Sequence, residues 1–193
     1  MKINTTSFLD EYFAEYKQLT FPVSIYPTIQ AFAELALRVR ETRSKMMFAG
    51  NGASASISEH GAVDFSKQGQ VRGVTFHDPN LITCFANDFG YDHWMAKAVE
   101  HYADDGDVLV LTSTSGKSPS VVNAAKYAKK RGLTVVTFTG QDADNPLKQL
   151  GDINFHVPSM AYNLVENTHS IWLTATVDVV IGKAVYTTRA YVE

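Results

Sequence analysis

From residue 46 onward the chain alternates short apolar runs with amphipathic stretches, and before that point it is helical in pattern. Residues 6–19 and 28–44 read as helices. In the second, Ile29, Phe32, Leu35, Ala36 and Val39 recur at the 3.6-residue period of a helix that buries one face. Pro22 and Pro27 break the chain between the two, and Thr28 is the expected cap. The rhythm then changes. MMFAG is followed by a helix over about Ala53 to Lys67. The runs VTFH and LITCFAND precede a helix over about Tyr91 to Ala103. DVLVLTS leads into a helix over about Ser118 to Arg131, and TVVTFTG and INFHVP precede a long helix over about Tyr162 to Thr187. Apolar runs alternating with helices at this spacing predict βαβ units and a mainly parallel sheet covered on both faces, an α/β three-layer αβα sandwich. With 193 residues, one domain is expected, with residues 1–27 as a helical extension and 28–187 as its core.

Composition narrows the function classes. Hydrophobic residues make up 45% and charged residues 19%, enough apolar surface for a full core, so disorder and coiled coil are excluded. Seventeen basic against twenty acidic residues give a net charge of −3, which argues against nucleic-acid binding driven by phosphate neutralisation and leaves room only for a local basic patch. Residues 1–13 carry acids without the apolar centre of a secretory leader, and no stretch approaches the ~20 apolar residues of a membrane span. The expected location is the cytoplasm. Cys84 is the one cysteine, too few for an internal disulfide or a thiolate metal site.

Ligands of parallel sheets bind at the carboxyl ends of the strands, and two strand-to-helix turns stand out there. One is Gly50-Asn51-Gly52-Ala53-Ser54. The other, from Thr112 to Ser120, places Ser113, Thr114, Ser115 and Ser118 around Gly116. Hydroxyl donors, a glycine for close backbone approach and the positive end of a helix suit the oxygens of a phosphate monoester, and Lys117 would add charge. A nucleotide P-loop is excluded, because the glycine it requires five positions before Gly116 is Leu111. Gly50-x-Gly52 also lacks the third glycine of a dinucleotide fingerprint, position 55 being Ala.

Together these segments resemble the sugar isomerase (SIS) domains, and within them the phosphoheptose isomerase group. GNGASA is similar to that group's GNGGS turn, and Phe85-Ala86-Asn87-Asp88-Phe89-Gly90 to its GNDFG segment. GDVLVLTSTSGKS is similar to its GDVL…STSGNS strand and loop, and LTVVTFTG to its VITLTG strand. The likeness runs from about residue 28 to residue 185. It implies a five-stranded parallel sheet of flavodoxin-like type in a homotetramer with active sites between subunits. It further implies a phosphate held by Ser113, Thr114, Ser115 and Ser118, and a sugar lined by Asn51, Gly52, Ser54 and Asp88. The implied reaction is ketose–aldose isomerisation through an enediol, with sedoheptulose 7-phosphate as substrate, serving surface-polysaccharide synthesis.

The acid–base positions depart from the group. His60 matches its histidine, Asp64 stands where it has glutamate, Glu166 falls at its glutamine, His169 at a second histidine, and its usual catalytic histidine corresponds to Thr174. The catalytic candidates are therefore Asp64, Glu166 and His169. Since some members bind zinc, His60, Asp64 and Glu166 are the candidate metal donors. His77, His93, His101 and His156 have no motif partner, and Trp172 reads as tetramer core rather than a platform for the sugar. The alternative reading is a non-catalytic SIS module that binds a phosphosugar or a protein, like the relatives that act as adaptors for the bacterial replication initiator.

Overall fold

The computed structural model describes residues 4–185. Helix α1 (Thr5–Thr20) and a single 3-10 turn lead into α2 (Tyr26–Thr42). There follow β1 (Met46–Gly50), α3 (Ala53–Lys67), β2 (Gly73–Thr75), α4 (Pro79–Phe89), α5 (Trp94–Tyr102), β3 (Val108–Ser113), α6 (Pro119–Arg131), β4 (Thr134–Gly140), α7 (Pro146–Leu150), β5 (Ile153–Val157) and α8 (Tyr162–Ile181). The five strands form one parallel sheet in the order β2-β1-β3-β4-β5, with the order reversing between β1 and β3. The crevice at that reversal, over the carboxyl ends of β1 and β3, is where both unusual turns emerge.

Alternation along the strands divides the core in two. Met46, Phe48, Val108, Val110, Val136 and Phe138 face α2, α3 and α8; Met47, Ala49, Leu109, Leu111 and Val135 face α5, α6 and α7. On the first face the rings of Phe138 and Phe155 stack in parallel with centroids 4.3 Å apart, and Phe32 meets both edge-on. Helix α1 joins this layer through Thr20, whose hydroxyl bonds Thr168 at 2.8 Å and whose carbonyl accepts the Trp172 indole N–H at 2.7 Å. Trp172 thus belongs to the protomer's own core, 3% exposed.

Three expectations change. LITCFAND is helical, not a strand: Asp78 caps α4 by accepting from the amides of Asn80 and Leu81, Pro79 occupies its first position, and Gly90 at φ 81° ends it. Leu81, Ile82, Phe85 and Ala86 fall on one helical face and pack on the second core, so the six apolar runs yield five strands. Thr28 lies inside α2, which begins at Tyr26 with Pro27 in its first turn. Finally, α8 stops at Ile181, with Gly182 at φ 79° as its left-handed cap; residues 186–187 of the expected helix lie outside the described residues.

Candidate active site

The two turns and the start of α8 enclose a pocket of about 130 Å³, lined by Asn51, Ser54, Ser113, Thr114, Ser115, Ser118, Tyr162 and Glu166. Each wall has a local cause. Gly50 must be glycine because an added Cβ would lie 2.8 Å from the backbone of Ser54 and of Thr112; its absence lets α3 begin directly against β3. Gly52 turns the chain into α3 at φ 58°, a conformation that side chains disfavour. Gly116 is the more constrained glycine, combining φ 62° with a Cβ position 1.9 Å from Asn145 Oδ1. Asn145 is itself buried, donating to Asp142 O at 2.8 Å and capping α7, while Leu147 N–H bonds Gly116 O at 3.1 Å. The hydroxyl loop is therefore pinned from below by α7.

Asn51 is held at both ends, donating from Nδ2 to Ser120 Oγ at 3.0 Å and accepting the Tyr91 O–H at 3.2 Å. It ties the glycine turn to the first turn of α6. Asp88 does not line the pocket; it lies on exposed α4, accepting from Asn87 Nδ2 at 2.9 Å, and the segment reaches the site through Tyr91. Lys117 also turns away, ion-paired with Asp142.

No lysine, arginine or histidine is among the pocket's described lining residues, and Glu166 is the only carboxylate among them. An anion there would be met by the hydroxyls of Ser113, Ser115 and Ser118 and by the positive end of α6, whose cap is Ser118. Thr114 Oγ1 donates to Glu166 Oε1 at 3.4 Å, which sets the carboxylate beside the hydroxyl loop. Tyr162 and Glu166, one helical turn apart, present a phenol and a carboxylate to the same space.

His169 lies elsewhere. Its ring is fully buried, Nε2 donates to Thr139 O at 2.9 Å, and Nδ1 has no partner among the described residues. Burial lowers its pKa to about 4, the bond to Thr139 opposing and nearby His156 reinforcing the shift. The neutral ring braces the end of β4, where Gly140 N–H bonds Thr114 O at 2.9 Å. Because the folded state disfavours the proton, His169 should lower stability as pH falls from the ordinary histidine range toward 4. About 2 kcal/mol should be lost between pH 7 and pH 5. Urea denaturation at the two pH values measures this; in His169→Gln the difference should shrink.

Asp64 and His60 are likewise remote. They pair at 3.1 Å on α3, His60 being largely exposed, and Asp64 lies ten residues, or roughly 15 Å of helix, beyond Ser54. There it faces Asp178, whose carboxyl is held above the usual range by burial and by the Asp64 charge. His60, Asp64 and Glu166 therefore do not converge within one chain, and among the described residues no group of three His, Cys, Asp or Glu side chains is arranged to hold a metal. His77 packs against the glycine turn, Nε2 lying 3.3 Å from Gly50 N and 3.2 Å from Gly50 O.

The sheet order, the glycine turn and the hydroxyl-lined loop define a phosphosugar-type α/β domain, and residues 11–140 match the SIS domain family; the chain belongs to it. Two relatives share one name. Phosphoheptose isomerase of Fusobacterium nucleatum is 34% identical over 134 residues, 67% of this chain and 69% of the relative. That of Neisseria gonorrhoeae is 33% identical over 170 residues, 84% of this chain and 86% of the relative. The solved phosphoheptose isomerase structure from N. gonorrhoeae superposes with a TM-score of 0.82 at 31% identity, covering 93% of this chain and all of that one. The Francisella tularensis enzyme superposes at 0.85 with 22% identity over 94% of this chain and all of that one, a likeness of fold alone. Among the described residues no helix is long and apolar enough to cross a membrane.

Proposed function

We propose that this protein is an aldose–ketose isomerase of a sugar phosphate, with sedoheptulose 7-phosphate as substrate, a heptose 7-phosphate as product and surface-polysaccharide synthesis in the cytoplasm as the setting. The observation that carries this is the shared pocket in which Glu166 stands beside the Ser113–Ser118 hydroxyl loop. The loop holds the phosphate and the sugar extends toward α8. Glu166 takes a proton from C1 as the C2 carbonyl becomes an enediolate whose charge on O2 is met by an O–H of the pocket; the O1 hydroxyl proton passes to O2, and Glu166 returns its proton to C2, which leaves the aldehyde at C1. His169, buried and bonded to Thr139, supports the loop from behind rather than touching substrate. Asp64 and His60 have no place in this step within one chain, and since the zinc donors do not converge, none of it is routed through a metal.

A homotetramer fits the surface. Helix α1 exposes Phe8, Leu9 and Phe13, and Phe21, Val23 and Tyr26 continue the apolar area just beyond it, an expanse characteristic of subunit contacts. Turnover of sedoheptulose 7-phosphate followed by appearance of an aldose phosphate tests the activity. Ser115→Ala with Ser118→Ala should weaken sugar-phosphate binding by about 1–3 kcal/mol, because an anion loses charge-assisted hydrogen bonds. Calorimetric titration with the sugar phosphate measures it, and unchanged affinity removes the phosphate assignment. One observation favours the non-catalytic reading: Thr174, at the group's histidine position, spends its hydroxyl on the Ser170 and Ile171 carbonyls of its own helix. Tight binding of the sugar without turnover would select that reading.

A further inference from the structure

At the amino-terminal end of the sheet, opposite the phosphosugar pocket, a second cavity of about 160 Å³ is lined by Val39, Arg40, Arg43, Ser44, Gln70 and Arg72. In a chain of net charge −3, three arginines line this cavity and no carboxylate is among the described residues lining it. None of the three is in an ion pair among the described residues; Asp104, whose carboxylate feels the Arg72 charge, is already bonded to Lys45 at 2.7 Å.

The arginines come from separate segments and are held in place. Arg40, in the last turn of α2, donates from Nη1 to Gly69 O at 3.3 Å; Arg72, just before β2, donates from Nη1 to Arg43 O at 2.7 Å. Each bond uses one N–H and leaves the rest of the guanidinium fork available. Arg40 also answers the negative end of α2, but that role does not extend to Arg43, beyond the helix, or to Arg72. The backbone is unusual as well. Among the described residues three non-glycines have positive φ, and two of them, Arg43 at 60° and Gln70 at 54°, line this cavity. Arg43 takes this conformation as the left-handed cap that ends α2.

We propose that this cavity is a second anion site that takes a phosphate or diphosphate group, with Arg40, Arg43 and Arg72 as its ligands and Ser44 as a hydroxyl donor. Like charges brought together with no acid among the described lining residues repel, and an anion accepting paired N–H bonds from two forks removes the repulsion while tying the turn before β1 to the turn before β2. The site is independent of the isomerase reading, since no residue is shared with the catalytic pocket.

The test titrates inorganic pyrophosphate into the full-length protein carrying Ser115→Ala and Ser118→Ala, so that the first pocket contributes least. Saturable binding that weakens with added salt is expected. Adding Arg40→Gln and Arg43→Gln, which keep the side-chain stems and the helix, should weaken it at least tenfold, with thermal unfolding within a few degrees of the parent. Arg43→Lys, retaining charge without the fork, should fall between. Repeating the titration with a nucleoside diphosphate identifies the source: equal or tighter binding assigns a nucleotide, weaker binding the free anion. Failure of the parent to bind pyrophosphate, or equal binding before and after the arginine substitutions, overturns the proposal.

Discussion

Replacing Glu166 by Gln should lower kcat for sedoheptulose 7-phosphate by about 10² to 10⁴, while KM stays within about threefold. The amide keeps the size of the side chain and its contact with Thr114, but it cannot accept a proton from carbon, and a positioned general base contributes on that order. In free-energy terms the loss is roughly 3–5 kcal/mol of transition-state stabilisation, realised only in the chemical step. The substitution is unusually informative because the resemblance puts a glutamine at this position in the phosphoheptose isomerase group. A Glu166→Gln enzyme with unchanged kcat would move the chemistry off this side chain and onto groups that one chain does not bring to the pocket, Asp64 first among them. Exchange of solvent deuterium into the substrate reads the same step without the reverse reaction and should fall in parallel.

The largest effect on stability should come from Asp107→Ala. Asp107 is 2% exposed and serves three donors: the Lys45 amide at 2.9 Å, the Asp104 amide at 2.8 Å and the Lys45 ammonium at 2.5 Å. Lys45 is itself nearly buried; burial works against its charge, but its bonds to Asp104 and Asp107 outweigh that and raise its pKa. Removing Asp107 leaves the buried Lys45 amide and the partly buried Asp104 amide unpaired and the ammonium supported only by Asp104, whose side chain is 83% exposed. Breaking a buried pair on one side costs about 3–5 kcal/mol, which for a domain of this length is a fall in Tm of roughly 10 °C. Differential scanning calorimetry measures it; a shift below about 2 °C would show that solvent replaces the carboxylate. Asp107 lies at the end of the sheet away from the pocket, so binding of the sugar phosphate at 25 °C should change little.

Most of the architecture was legible because strand and helix periods differ and the fold uses both cleanly. The alternation of Met46 to Ala49 and of Val108 to Leu111 between two apolar layers needed no tertiary information. Leu81 to Asp88 misled because a short apolar run rich in Ile, Thr and Phe satisfies either period; the signals that decide it, Asp78-Pro79 before and Gly90 after, are helix punctuation. The hydroxyl-lined loop was legible for a similar reason, since its hydroxyls are adjacent in sequence and the turn gathers them. Which acid–base candidates open on the pocket was not, because that question is one of depth along a helix. Glu166 and His169 lie three residues apart on α8, yet one opens on the pocket and the other is sealed against β4. Asp64 follows Ser54 on α3, but ten residues of rise carry it away. Tyr162 was missed although it stands four residues before Glu166, the spacing that places two side chains on one face. Tyr91 acts through its contact with distant Asn51, and Asn145, legible as the cap of α7, reaches the site only through its close approach to Gly116, which no local pattern announces.

Crystals grown with sedoheptulose 7-phosphate provide the decisive observation. Electron density for the phosphate is expected on the hydroxyls of Ser113, Ser115 and Ser118, with the Glu166 carboxylate within about 3.2 Å of the C1–C2 edge of the sugar. A sugar phosphate seated elsewhere on the protein, or seated on the loop with its reacting carbons turned away from Glu166 toward another group, would contradict it.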